Sequence, residues 1–199
     1  MADKFDDELI PEEVPGFKVG EKKTLEEYTT LDANDESLNK WKKSLGLSTG
    51  NLLPVKPGDK RTVVIISMTL AIDGDEPIVV ELSDVETQED LKNKKIHFKI
   101  KEKSIYQLSI KFKVQHEIIT GLKYLQAVKK TGITVDKFDE PMGSYAPNTE
   151  DNQSYERTFD AVEAPSGMLA RGSYSAVSKF VDDDKKIHLN LPWTFQITK

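Results

Sequence analysis

Tyr106-Gln107-Leu108-Ser109-Ile110-Lys111-Phe112-Lys113-Val114 decides the fold. Apolar and polar residues alternate without a break, so one face of an extended segment is apolar and the other is wet. The same period of two recurs on both sides of this stretch. Ile96, Phe98 and Ile100 alternate with His97, Lys99 and Lys101, and Leu189, Leu191, Trp193, Phe195 and Ile197 repeat the pattern near the end. Residues 63–72 are apolar on both faces at first, which fits a central strand. Further strands are expected at 78–82, 122–128, 133–136 and 173–180, with turn residues between them. Seven to nine short strands over 61–199 predict an all-β fold, an antiparallel β-sandwich.

The N-terminal third reads differently. Residues 1–23 are acidic, contain Pro and Gly, and are expected to be disordered when free. Thr24-Leu25-Glu26-Glu27 has the form of a capping box and predicts a short helix. Asp32 or Asn34 is suited to cap a second helix, with Asp35 and Glu36 in its first turn, where the helix dipole favours anions. Leu38, Trp41 and Leu45 lie at spacings of three and four, forming one apolar stripe, and Gly46 ends the run. Two such helices are marginal alone, so their stripe needs a surface. Residues 24–46 therefore read as a helical arm, and 47–60, with Pro54, Pro57, Gly50 and Gly58, as a linker.

Composition narrows the function. The formal net charge of -6 argues against nucleic acid as a partner and fits either a basic partner or simple solubility. With no cysteine, disulfides, thiolate catalysis and cysteine-bound metals are excluded. No apolar run approaches the roughly 18 residues of a membrane helix. Neither end carries a leader or lipidation motif, so the protein is expected to be soluble, unanchored and cytoplasmic. His97, His116 and His188 have no metal-helix spacing. Ser173, His188 and Asp184 assemble a triad only on paper, because no nucleophile elbow is present. Gly20-Glu21-Lys22-Lys23-Thr24 lacks the upstream glycine of a phosphate-cradling loop. Asp182-Asp183-Asp184 lacks the spaced ligands of a calcium loop and reads by default as a solvated turn. No enzyme activity, metal or cofactor is expected.

Glu163-Ala164-Pro165-Ser166-Gly167-Met168-Leu169-Ala170-Arg171-Gly172-Ser173-Tyr174-Ser175, followed by Phe180-Val181-Asp182-Asp183-Asp184-Lys185, resembles the Rho GDP-dissociation inhibitors. Leu31-Asp32-Ala33-Asn34-Asp35-Glu36-Ser37-Leu38 is similar to that family's arm helix. Phe112-Lys113-Val114-Gln115-His116-Glu117-Ile118-Ile119-Thr120-Gly121-Leu122-Lys123-Tyr124-Leu125-Gln126 and Met142-Gly143-Ser144-Tyr145-Ala146-Pro147 extend the likeness, in order, from about Thr24 to Lys199.

The resemblance implies an immunoglobulin-like sandwich. It also implies a partner: a prenylated Rho-type GTPase in its GDP form, bound one to one by a monomer. Asp35 would engage switch I and Asp184 switch II, with Phe17, Leu38 and Trp41 also on the GTPase side. A farnesyl or geranylgeranyl chain would enter between the sheets, lined by Leu70, Phe98, Tyr106, Ile118, Leu169, Tyr174, Leu191 and Trp193. Animal members carry an aromatic residue where this chain has Leu191 and a larger aliphatic where it has Ala176, which bears on pocket shape. The acidic stretch with Glu150, Asp151, Glu156, Asp160 and Glu163 is a candidate contact for a basic GTPase tail. Two other classes compete: a carrier of prenyl or acyl tails without GTPase specificity, and a hydrolase on a sandwich scaffold. The carrier would have no use for the Asp35 arm, and the hydrolase lacks a visible base and nucleophile.

Overall fold

The computed structural model describes residues 51–199, preceded by Leu9, Glu27, 35–37, Asn39 and Lys40. Ten strands and one short helix follow in order: β1 (Val63–Ile72), β2 (Ile78–Glu81), α1 (Gln88–Asn93), β3 (His97–Lys101), β4 (Ile105–Val114), β5 (Ile119–Lys130), β6 (Ile133–Tyr145), β7 (Tyr155–Thr158), β8 (Val162–Glu163), β9 (Gly172–Val181) and β10 (Ile187–Thr198). They form two five-stranded sheets. The first runs β2-β1-β4-β7, with β8 also on β4; the second runs β3-β10-β9-β5-β6.

The alternation in β4 sets the packing. Ile110, Phe112 and Val114 are buried, while Lys111 between them is exposed. Their cross-strand partners on β1 are Met68 for Ile110 and Ile65 for Phe112. A bulge between Ile65 and Ser67 breaks the register there. This accounts for the early apolar run, since Val63, Val64 and Ile65 are all buried. As expected of a central strand, β1 has neighbours on both edges.

Three features depart from the sequence reading. First, β3 pairs with β10 in parallel, so the sandwich is not wholly antiparallel. Six strands, β4 to β9, separate these two along the chain, and parallel pairing needs such a long connection. Second, β7 and β8 were not expected. They are short and largely exposed, so they carry no alternation to read. Third, α1 was missed, although Thr87 and Asp90 form a capping box: Asp90 N–H donates to the Thr87 hydroxyl, and Thr87 N–H to the Asp90 carboxylate.

Part of the stretch read as a linker is fastened to the domain. Leu53 N–H donates to Asn148 O, and Leu52 bridges Thr149. Glu27, Ser37, Asn39 and Lys40 are helical. The second helical turn is capped by Asp35 rather than by Asp32 or Asn34: its carboxylate accepts the Ser37 N–H at 2.8 Å, and its carbonyl accepts the Asn39 N–H. An aspartate is as good a cap as an asparagine, so the spacing alone could not choose between them. Phe17, Leu38 and Trp41 lie outside the described residues.

The interior divides in two. One part is filled by Phe112, Tyr124, Phe180, Leu122 and their neighbours. There Tyr124 packs 5.3 Å from Phe159 and 5.2 Å from Phe180, and Phe112 meets Tyr145 edge-on at 4.9 Å. The other part gathers Tyr174, Phe195 and Ile197, with Leu70, Ile78, Phe98 and Tyr106 only partly buried against them. That incomplete burial marks an opening.

Candidate functional site

A cavity of about 560 Å³ lies between the sheets. Every strand except β7 contributes to its wall. Leu70, Ile78, Val80 and Leu108 come from the first sheet, and Phe98, Val128, Tyr174, Leu191, Trp193 and Phe195 from the second. Phe98 stacks on Trp193 at 5.1 Å, and Tyr174 on Phe195 at 4.8 Å. The volume is in the ordinary range for a small-molecule pocket.

Four polar groups at the wall, on Trp193, Ser178, Tyr124 and Gln126, are bonded to each other. Trp193 Nε1–H donates to the Ser178 hydroxyl at 3.0 Å. Ser178 and Tyr124 hydroxyls lie 2.8 Å apart, and the Tyr124 hydroxyl donates to Gln126 Oε1 at 2.6 Å. Burial pushes the Tyr124 phenol above its usual pKa, partly offset by the bond to Ser178, so it stays a neutral donor. With the indole, two hydroxyls and an amide oxygen satisfied in this way, the surface these residues leave to a guest is apolar. Tyr174 is likewise committed: its hydroxyl donates to the Ala170 carbonyl.

The mouth is acidic. Asp136 on β6 and Asp160 just after β7 both border the cavity and are exposed, beside exposed Val135 and Val162. Of the acidic stretch singled out in the sequence, Asp160 is the member at the mouth.

Six of the eight residues expected to line such a cavity do so: Leu70, Phe98, Tyr106, Tyr174, Leu191 and Trp193. Ile118 does not. It is buried in the β4–β5 connection, where a positive φ at His116 interrupts the strand alternation. Leu169 does not either. Its side chain is 95% exposed in the loop before β9. That loop is pinned through its backbone, with Lys130 Nζ donating to the carbonyls of Leu169 and Arg171. Glu102 pairs with Arg171 at 2.7 Å and accepts the Gly167 N–H. These bonds, led by that to Arg171, lower the Glu102 carboxyl to about 2. Ile78, Val80, Phe138, Val128 and Phe195 line the cavity and were not singled out. Phe195 was legible, because it shares strand parity with Leu191 and Trp193.

The carboxylate run 182–184 sits in the β9–β10 hairpin. Asp182 is an organiser. Its carboxylate accepts the Lys186 N–H at 3.0 Å and bonds His188 Nε2 at 2.9 Å, with both side chains 2% exposed. The other ring nitrogen of His188 meets the Thr62 hydroxyl at 3.2 Å. His188 thus pairs with Asp182, not Asp184, and its imidazole braces the hairpin against Thr62, just before β1. Asp183 packs on Gly121, whose φ is +56°; a Cβ there would lie 2.0 Å from the Asp183 carboxylate. The Asp183 N–H donates to Thr120 O, locking the hairpin to β5. Asp184 is exposed at its tip. Among the described residues, no group of acidic or histidine side chains is arranged to hold a metal.

The family model described as RHO protein GDP dissociation inhibitor matches residues 2–199. The chain belongs to the Rho GDP-dissociation inhibitor family. It is similar to the Rho GDP-dissociation inhibitor of Saccharomyces cerevisiae, at 56% identity over 92% of this chain and 90% of that protein. It shares 44% identity with the Schizosaccharomyces pombe inhibitor, over 100% of this chain and 95% of the relative. Against human Rho GDP-dissociation inhibitor 1 the identity is 38%, over 92% and 85%. No described helix is long and apolar enough to cross a membrane.

Proposed function

We propose that this protein binds prenylated Rho-type GTPases in the GDP form, slows GDP release, and carries them off the membrane with the prenyl chain in the cavity. The observation that carries this reading is the largely apolar cavity, at whose wall Trp193, Ser178, Tyr124 and Gln126 satisfy one another's polar groups. Relatives named for inhibiting GDP dissociation from Rho proteins supply the activity. On this reading the β-sandwich is the immunoglobulin-like domain of the family, preceded by an arm with two short helices. The complex is one to one, and the free inhibitor is a cytoplasmic monomer.

Energetics divide the work between two surfaces. A geranylgeranyl chain of roughly twenty carbons gains about 0.8 kcal/mol per buried CH2. The bilayer offers the same gain, so moving the lipid into the cavity is close to neutral. Extraction must therefore be driven by protein contact. Asp35, with Phe17, Leu38 and Trp41 of the arm, would meet switch I, and Asp184 at the hairpin tip would meet switch II. Once these hold the GTPase, its tail faces the cavity at high effective concentration. Asp136 and Asp160 at the mouth suit a basic tail leading to the prenyl group.

The test is Leu70→Asp. It puts an unpaired carboxylate on the lipid's path, at a cost of several kcal/mol to lipid binding. In liposome flotation, the folded variant should leave prenylated GTPase on the vesicles yet still bind the unprenylated GTPase as weakly as the parent does. Undiminished extraction would show that the lipid goes elsewhere.

A further inference from the structure

The second sheet has two faces. Tyr124, Gln126, Val128 and Tyr174 turn towards the cavity. On the opposite face, Ala127 sits across from Val177, Leu125 from Lys179, and Lys123 from Val181. Leu125, Ala127, Val177 and Val181 make one apolar patch there. On an uncovered sheet face these side chains would be exposed, yet all four are buried. Leu9, itself only 7% exposed, belongs to the same cluster. Lys179, also on this face, is 2% exposed, and lysine is rarely buried so fully.

Charge points the same way. The patch is bordered by four lysines, Lys123, Lys129, Lys137 and Lys179, across β5, β6 and β9, and by Asp139, which lies 3.9 Å from Lys123. Leu9 stands within Asp6-Asp7-Glu8-Leu9-Ile10-Pro11-Glu12-Glu13, a segment with one apolar pair among carboxylates. An apolar anchor in an acidic segment matches an apolar patch whose rim carries four lysines to one carboxylate among the strand residues named.

We infer that the outer face of β5 and β9 is a docking surface for the chain's own acidic N-terminal segment, with Leu9 as its anchor. The site lies on the side of the sheet away from the cavity, so it does not compete with a guest there. It is an intramolecular clasp: a basic partner that recruited these carboxylates would first have to release Leu9.

The chain has no cysteine, so a Glu12→Cys variant takes a single nitroxide label in the full-length protein. With the label on isotope-labelled chains, the amide signals of Leu125, Ala127, Val177 and Val181 should be broadened relative to the reduced label, and those of Val79 and Val80 should not. Adding Leu9→Asp should abolish the broadening, and this substitution leaves the sandwich core untouched. The effect should vanish when the label and the isotope are placed on different chains. No broadening in the parent, equal broadening with Leu9→Asp, or persistence between separate chains would each overturn the inference.

Discussion

Trp193 on β10 donates its indole N–H to the hydroxyl of Ser178 on β9 at 3.0 Å, and Ser178 is fully buried. The bond turns the polar edge of the largest side chain in the cavity wall into the protein and leaves its apolar ring to the cavity. Ser178→Ala would leave the indole N–H without its acceptor and remove the Tyr124 contact. We expect a loss of about 1–3 kcal/mol of stability. Thermal or denaturant unfolding measures it, and an unchanged midpoint would mean that the network contributes nothing.

Ile118 and Leu70 separate core from cavity. Ile118 is buried away from the cavity wall, so Ile118→Ala should cost about 2–5 kcal/mol of stability. Its effect on binding of a fluorescent farnesyl or geranylgeranyl cysteine, measured where the variant remains folded, should be small. A large fall in lipid affinity without loss of stability would reverse these assignments.

The hairpin prediction concerns position as well as charge. Asp184→Ala should weaken binding of the GDP-form GTPase with little change in stability, because Asp184 is exposed. Asp35→Ala should weaken it too, by removing a carboxylate of the arm and a helix cap. Gly121→Ala should weaken it from a distance. Its φ of +56° costs an alanine roughly 1–2 kcal/mol. The new Cβ would also expel Asp183 and shift the hairpin. Calorimetric titration with the GTPase tests all three. Parental affinity in Gly121→Ala would show that hairpin placement is immaterial.

Glu102 gives a pH signature. Its folded-state pKa, about 2, lies below the ordinary 4.5, so the Glu102–Arg171 link favours the fold above about 4.5 and is lost as pH falls through 2. The Gly167 amide, which donates to Glu102, should report a titration midpoint near 2 in NMR spectra. Glu102→Gln should erase that transition and loosen the loop carrying Leu169. A midpoint near 4.5 in the parent would mean that the link does not form in solution.

By itself, the sequence determined the strands that have one wet and one dry face. In β4 and β10, the alternation around Phe112 and Trp193 gave the inward residues directly, because side chains on a strand leave opposite faces in turn. It did not determine elements whose burial comes from elsewhere. β7 and β8 are largely exposed, α1 is one capped turn and a half, and β3 takes its parallel partner from the far end of the chain. Only the tertiary structure decided that Phe98, Tyr174 and Trp193 face a void while Phe112 and Phe180 face a filled core, since periodicity states which way a side chain points and not what it meets. The same limit explains Ile118, whose apolar character holds no record of the backbone turn at His116 that takes it off the cavity wall. It explains Leu9 as well: one of an apolar pair in an acidic segment, it gains a place only when β5 and β9 lie side by side and offer it one.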